Sequence, residues 1–195
     1  NNHMKAKSIK GQSNAEIKSA LEKATSNGFK RTLAFACITN LEDIDALSAI
    51  LDAAGISIFG ASTAEKFNEE GIDPSGIIIM LLDMNPANFK IVLKDFSLAS
   101  VYESACAVGE AGKKRFDHPA FIISTADIRI PGGDVIRGIL DKAGMDVAIF
   151  GGGAGEPVNF SGTVFTNQAK SDSGILALIV DEDKVEVKGV AVSGW

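Results

Sequence analysis

The sequence predicts an α/β fold in which mixed sheets are layered with helices and one structural unit occurs twice, with pseudo-twofold symmetry. Apolar runs of strand length alternate with segments of helical periodicity, and glycines end the helical segments. The same motifs recur about ninety residues later. An I-L-D-x-A-G helix end occurs at residues 50–55 and 139–144, followed by an I-F-G strand end at 58–60 and 149–151. Two copies indicate a duplicated half-domain, since an open array needs more repeats.

Each unit is expected to contain a helix, a strand, a second helix and then further strands. Helical periodicity predicts helices over residues 15–24, 41–54, 98–114 and 134–143, with Ser13 or Asn14 as the first N-cap and stops at Gly28, Gly55 and Gly144. The strand–helix–strand order predicts parallel strand pairs, whereas short connections after Asp83 and Asp181 predict antiparallel hairpins. Unbroken apolar runs at residues 77–82 and 175–180 predict strands covered on both faces, with helices outside paired sheets.

Residues 1–4 have neither the basic region nor the apolar stretch of a signal peptide, and we interpret them as a remnant of an expression vector. The rest, residues 5–195, is predicted to be a single domain of two pseudo-repeats, at about 13–97 and 98–195.

The composition argues against several partners and compartments. The formal net charge is −6 and the basic residues are spread along the chain, so no nucleic-acid partner is predicted. The longest apolar runs span six residues, far short of the roughly 20 that cross a bilayer, so no membrane span is predicted. Cys37 and Cys106 lie in apolar segments, which is typical of buried thiols in a reducing compartment such as the cytoplasm.

Ligands of open α/β sheets bind at the carboxyl ends of parallel strands, where loops expose polar groups. Four segments are predicted to lie at such ends: residues 39–40, 60–76, 124–133 and 151–174. Because the predicted symmetry pairs these loops, one cleft between the halves can draw on both.

No cofactor is predicted. The glycines at residues 151–153 resemble the start of a dinucleotide fingerprint, but Glu156 stands where the third glycine belongs, and no G-x-x-x-x-G-K phosphate loop occurs. We interpret these glycines as positions of close backbone approach, either by a ligand or by a neighbouring strand. Histidines and cysteines at ligand spacing are missing from the sequence, so no metal site is predicted.

Two side chains in these loops have more than one interpretation. Ser62, in G-A-S-T-A after a strand, resembles a degraded nucleophile elbow, but the sequence has only two histidines and a serine without a base is a poor nucleophile. Serine hydroxyls more often cap turns or bind ligands. Arg129 could hold a ligand carboxylate through paired hydrogen bonds, or form a structural ion pair with Asp127 or Asp134.

Several motifs in combination resemble the N-terminal domain of FIST proteins, the F-box and intracellular signal transduction group. They are I-F-G-A-S-T-A-E at residues 58–65, G-G-G-A-G-E at 151–156, G-T-V-F at 162–165 and S-G-W at 193–195. By position, the family's first loop falls on residues 60–65, with Ala61 in place of its cysteine, and the second on residues 152–156.

The resemblance implies a sensory domain in signal transduction, not an enzyme, that binds a small ligand such as an amino acid. The implied partners are that ligand and either a downstream signalling domain or a C-terminal companion domain, which this chain is expected to lack. The predicted ligand-binding residues are Ser62, Thr63, Glu65, Thr125, Arg129, Gly152, Gly153 and Glu156. In this hypothesis backbone amides and Arg129 meet the carboxylate, while Glu65 or Glu156 meets the ammonium.

Two other classes of function stay open. One is a hydrolase or transferase that uses Ser62 or Thr163, because both hydroxyls lie close to strand ends. The other is an interaction scaffold whose loops contact the C-terminal domain. No catalytic residue is assigned in the leading hypothesis.

Overall fold

The structure is a computed structural model of the 195-residue chain and describes residues 4–25, 28–64, 66–68, 71–73, 76–97, 99–127, 129–155 and 162–189. The helices are α1 (Asn14–Lys23), α2 (Ile44–Ala53), α3 (Val101–Arg115) and α4 (Gly132–Ala143). The strands are β1 (Ala6–Gly11), β2 (Leu33–Ile38), β3 (Ser57–Ser62), β4 (Lys66–Asn68), β5 (Gly71–Asp73), β6 (Ile77–Leu82), β7 (Phe89–Asp95), β8 (Pro119–Thr125), β9 (Ile149–Gly153), β10 (Val164–Phe165), β11 (Lys170–Ser171) and β12 (Gly174–Asp181). Within these ranges, the helices are all too short or too polar to cross a membrane.

The strands form two main sheets. The first has the order β1-β6-β2-β3-β10-β11 and the second has the order β7-β12-β8-β9, while β4 and β5 pair with each other. In the first sheet β6 is antiparallel to β1 and β2, and β2 is parallel to β3. In the second sheet β12 is antiparallel to β7 and β8, and β8 is parallel to β9. The two parallel pairs confirm the strand pairing predicted from the strand–helix–strand order.

Three hydrophobic clusters define four layers. Helices α1 and α2 cover the outer face of the first sheet, with Leu47 in that cluster, and α3 and α4 cover the outer face of the second, with Ile139. The inner faces pack against each other in the third cluster, where the rings of Phe35 and Phe59 lie 5.1 Å apart near Leu178. Helices outside two mixed sheets confirm the predicted α/β fold class.

The two continuously apolar strands are interior strands of their sheets. β12 is buried along its length up to Val180, because one face packs under α3 and α4 and the other packs on the first sheet. β6 is buried at five of its six positions, with Met80 39% exposed. The prediction of coverage on both faces is confirmed for β12 and for β6 apart from Met80.

The hairpin predicted after Asp83 is wrong. β6 pairs inside the first sheet, whereas β7 pairs with β12 in the second, so the connection passes from one sheet to the other. Packed sheets lie about 10 Å apart, a distance that six residues span easily. The crossing contains a 3₁₀ turn at Pro86–Asn88 that the Asn85 side chain caps. By its position in the sequence, β7 belongs to the first predicted unit, at about residues 13–97. The structure instead places it in the second sheet.

The hairpin predicted after Asp181 is also not formed by the described part of the chain. Residues 182–189 make turns and irregular structure, and residues 190–192 lie outside the described ranges. Val185 and Val187 pack against the cluster between the sheets instead of pairing as a strand. The structure adds five strands that the sequence did not predict, β1, β4, β5, β10 and β11.

Three of the predicted helix ends are confirmed, whereas α1 ends at Lys23, five residues before the predicted stop at Gly28. Ser13 caps α1 and accepts from the Glu16 amide, and Gly55 and Gly144 follow α2 and α4 with φ of 71° and 115°. The predicted start of α3 at residue 98 is three residues early, because Ser100 and Glu103 form a capping box that begins the helix at residue 101.

The pairing of β8 with β12 ends at an exposed histidine. His118 Nδ1 lies 3.0 Å from both carboxylate oxygens of Asp183, and this hydrogen bond raises the pKa of His118. A raised pKa in the folded state stabilises the fold at pH values below the unfolded pKa of about 6.5, and this stabilisation is lost as the pH rises through the folded pKa.

We expect His118→Gln to lower the free energy of unfolding more at pH 6 than at pH 8, as measured by urea unfolding at each pH. Asp183→Asn removes the acceptor and is the control, since it should weaken the same pH dependence. An equal effect of His118→Gln at both pH values would contradict the role of this pair.

Candidate functional site

The carboxyl ends of the four parallel strands lie at one edge of the molecule. In the first sheet the Thr63 amide donates to Ile38 at 3.0 Å, which joins the ends of β2 and β3. In the second sheet the Ala154 amide donates to Thr125 at 2.7 Å, which joins the ends of β8 and β9. These are the strand ends at which ligands of α/β proteins bind.

Ser62 connects the loops of the two sheets. Its amide donates to the Thr163 carbonyl at 2.8 Å, and its hydroxyl accepts from the Thr163 amide at 2.8 Å and donates to the Gly155 carbonyl at 3.4 Å. The Gly155 amide in turn donates to the Ser62 carbonyl at 3.3 Å. We call this set of strand ends and loops the loop junction: Ser62, Thr63, Thr125, Ala126, Asp127, Gly153, Ala154, Gly155, Gly162 and Thr163.

The loop after β9 reaches the first sheet and extends it. Val164 and Phe165 of β10 pair with Ala61 and Gly60 of β3 in antiparallel register. A Cβ on Gly60 would overlap the ring of Phe165, which is completely buried. The glycine of the first I-F-G motif therefore makes room for an aromatic ring from the other half of the chain.

Gly162 makes the closest backbone approach in the loop junction. Its amide donates to Ala126 at 2.6 Å. A Cβ on Gly162 would lie 2.8 Å from Ser62 Oγ and 2.8 Å from the Gly155 nitrogen, so a side chain at this position would push the two loops apart. Gly162 was not among the residues predicted for the site, although it begins the G-T-V-F motif.

The three glycines of β9 differ in their surroundings. Gly151 has φ of 149°, and a Cβ there would overlap the Ile123 carbonyl of β8, so a neighbouring strand accounts for this glycine. Gly152 has open space where a Cβ would stand, and Gly152 and Gly153 are exposed. These two glycines pair with Ser124 and Thr125 of β8 in parallel register.

Arg129 is held by Asp127 on the loop that follows β8. Its Nε donates to both carboxylate oxygens at 3.0 Å, its Nη2 donates at 2.5 Å, and its amide donates to Asp127 Oδ1 at 2.7 Å. These hydrogen bonds lower the pKa of Asp127 and raise the pKa of Arg129, so the pair is ionised. The Arg129 side chain is 69% exposed and that of Asp127 is 18% exposed. Of the two predicted ion-pair partners, Asp127 is the one observed; Asp134 pairs with Arg137.

The structure brings some of the predicted residues together. Ser62 and Thr63 meet the loop after β9, and Thr125 bonds to Ala154 directly beside Gly153. Arg129 lies on the loop that leaves Thr125. Glu65 and Glu156, predicted to meet an ammonium, lie outside the described residues.

The surroundings of Ser62 suit a structural hydroxyl. The residue is 1% exposed, and its hydroxyl is engaged both as donor and as acceptor with backbone groups. His118 precedes β8, at the opposite edge of the sheets from the loop junction. Nucleophilic attack by a serine needs an accessible oxygen and an adjacent base. In this geometry Ser62 positions the two loops.

We expect Ser62→Ala to lower the free energy of unfolding by about 1–3 kcal/mol, because it leaves the buried Thr163 amide without its acceptor. Ser48→Ala is the matched control, since Ser48 is 8% exposed and its hydroxyl has no hydrogen-bond partner in the described part of the chain. Urea unfolding measures both changes. A loss in Ser62→Ala no larger than that in Ser48→Ala would contradict this role.

Comparison with known proteins gave a match to one protein family. The model of the FIST N domain matches residues 32–195, which include both sheets apart from β1. A search of curated proteins gave no match. The matched region contains every residue of the loop junction. The chain therefore belongs to the FIST N domain family, whose members are sensory domains of signal transduction.

Proposed function

We propose that this sensory domain binds a small ligand with the chemistry of an amino acid at the loop junction. The observation that carries the proposal is the orientation of Arg129. Asp127 occupies the Nε–Nη2 edge of the guanidinium, and Nη1 has no partner among the described residues. A guanidinium with one edge fixed still presents its Nη1–Nη2 edge for paired hydrogen bonds to a second carboxylate.

Backbone amides of β9 support a carboxylate at the same edge. The Ala148 carbonyl and the Ala154 amide both bond to β8, and alternate residues of a parallel strand bond to the same neighbour. The amides of Gly151 and Gly153 therefore point away from β8, and the described residues contain no other strand beside β9. Without side chains, Gly152 and Gly153 permit close approach of a ligand to this backbone.

The remaining parts of the proposal come from the sequence. Glu65 or Glu156 binds the ammonium of the ligand, since both follow the strand ends that form the loop junction. Ser62 and Thr163 hold the two loops at the spacing that the ligand requires. A C-terminal companion or a downstream signalling domain in the cytoplasm receives the signal.

We also infer that the two halves derive from one duplicated unit. The support is the shared order of the sheets, in which β1-β6-β2-β3 corresponds to β7-β12-β8-β9 with the same relative strand directions. In each half one helix follows the edge strand and a second connects the parallel pair. The loop junction then unites the equivalent loops of both units.

The proposal is tested by a thermal-shift screen of the domain against a panel of amino acids, small carboxylates and nucleotides. A ligand at one hundred times its dissociation constant adds about 2.7 kcal/mol to the free energy of unfolding, so binding should raise the melting temperature clearly. A shift with one class of amino acid supports the proposal. No shift with any amino acid would overturn it.

For an amino acid that binds, we expect Arg129→Ala to raise the dissociation constant at least about tenfold, equivalent to about 1.4 kcal/mol. Arg137→Ala is the matched control, because Arg137 is a similarly exposed arginine on α4 that pairs with Asp134. Isothermal titration calorimetry measures both variants. Unchanged affinity in Arg129→Ala, or an equal loss in Arg137→Ala, would contradict the role of Arg129.

A further inference from the structure

A second polar cleft lies at the edge of the sheets opposite the loop junction. Its volume is about 710 Å³. Four segments that are distant in sequence line it: residues 4–5 before β1, residues 28–32 before β2, residues 83–88 between β6 and β7, and residues 184–185 after β12. We call it the basic cleft, for the lysines Lys5, Lys30 and Lys184.

The lining of the basic cleft contains more basic than acidic side chains. None of its three lysines forms an ion pair with a carboxylate in the described part of the chain. The lining contains one carboxylate, Asp83, which accepts a hydrogen bond from the Lys30 amide at 3.4 Å. Its lining thus contains three lysines and one carboxylate, in a chain whose formal net charge is −6.

Two further polar side chains of the basic cleft, Thr32 and Asn85, form hydrogen bonds with the chain that leaves β6. Thr32 Oγ1 donates to the Met84 carbonyl at 2.5 Å and accepts from the Met84 amide at 2.9 Å, which fixes the chain where it leaves β6. Asn85 Oδ1 accepts from the Ala87 amide at 3.0 Å, so its Nδ2 is the group that is left to donate to a ligand. The Asn85 side chain therefore adds a hydrogen-bond donor to the three lysines of the lining.

We propose that the basic cleft binds a small molecule that carries at least two adjacent phosphate groups. A volume of 710 Å³ is within the range of about 300–1,000 Å³ that small-molecule sites occupy. Lysine ammonium groups act as compact point charges and bind phosphate well, whereas planar carboxylates favour the fork of arginine. The site is separate from the loop junction, so this inference does not depend on the proposed function.

The test is isothermal titration calorimetry of the domain with inorganic pyrophosphate, with citrate as a carboxylate of similar charge. We expect pyrophosphate to bind more tightly than citrate. In Lys30→Gln/Lys184→Gln we expect at least about a tenfold rise in the dissociation constant for pyrophosphate, because two of the three ammonium groups are removed. The control Lys18→Gln/Lys23→Gln changes the net charge equally on the exposed face of α1, and we expect less than about a twofold rise.

Thermal unfolding of both double variants checks that they are folded. We expect both to be folded, because all four lysines are surface residues. Three results would overturn the inference: no heat of binding with pyrophosphate up to about 10 mM, citrate binding as tight as pyrophosphate, or an equal loss of binding in the two double variants. The last result would mean that pyrophosphate responds to the net charge and not to the basic cleft.

Discussion

The contact between the inner faces of the two sheets is the constraint on which the rest of the structure depends. Each sheet has helices on its outer face only, so its inner face must be buried against the other sheet to be removed from water. Phe35 and Phe59 of the first sheet and Leu176 and Leu178 of the second meet in this layer. Once the sheets are packed in this way, the loops after β3 and β9 arrive at the same edge, where Ser62 joins them.

The sequence predicts the layers well because burial on two faces leaves a clear pattern. β12 is apolar at every position from Ile175 to Val180, without the alternation of a half-exposed strand, and the structure buries all of them. Three helix ends were predictable for a local reason: Ser13, Gly55 and Gly144 act on the backbone within a turn of their own position. Neither the apolar pattern nor the capping residues depend on which strand lies alongside.

Features that depend on distant residues were not predictable from this one sequence. β1 contains a single buried residue, Ile9, and β10 is two residues long, so neither has an apolar pattern to read. The sequence does not indicate the change of sheet after Asp83, because a hairpin and a crossing between two packed sheets can have connections of the same length. At the site, the sequence identified the loops correctly as neighbours of strand ends. The need for glycine at Gly162 is visible only when Ser62 and Gly155 are beside it.

The two edges of the sheets differ in how their positive charge is balanced. At the loop junction, Asp127 neutralises Arg129, so a ligand carboxylate would be attracted less by net charge than by the fixed direction of the N–H groups. In the basic cleft, Lys5, Lys30 and Lys184 form no ion pair within the described ranges, and the proposed attraction would come from summed charge, which salt screens. Strand β2 runs between the two edges, from Thr32 at the basic cleft to Ile38 at the loop junction. In the two proposals, the same strand thus contributes to a site of oriented hydrogen bonds at one end and to a site of accumulated charge at the other.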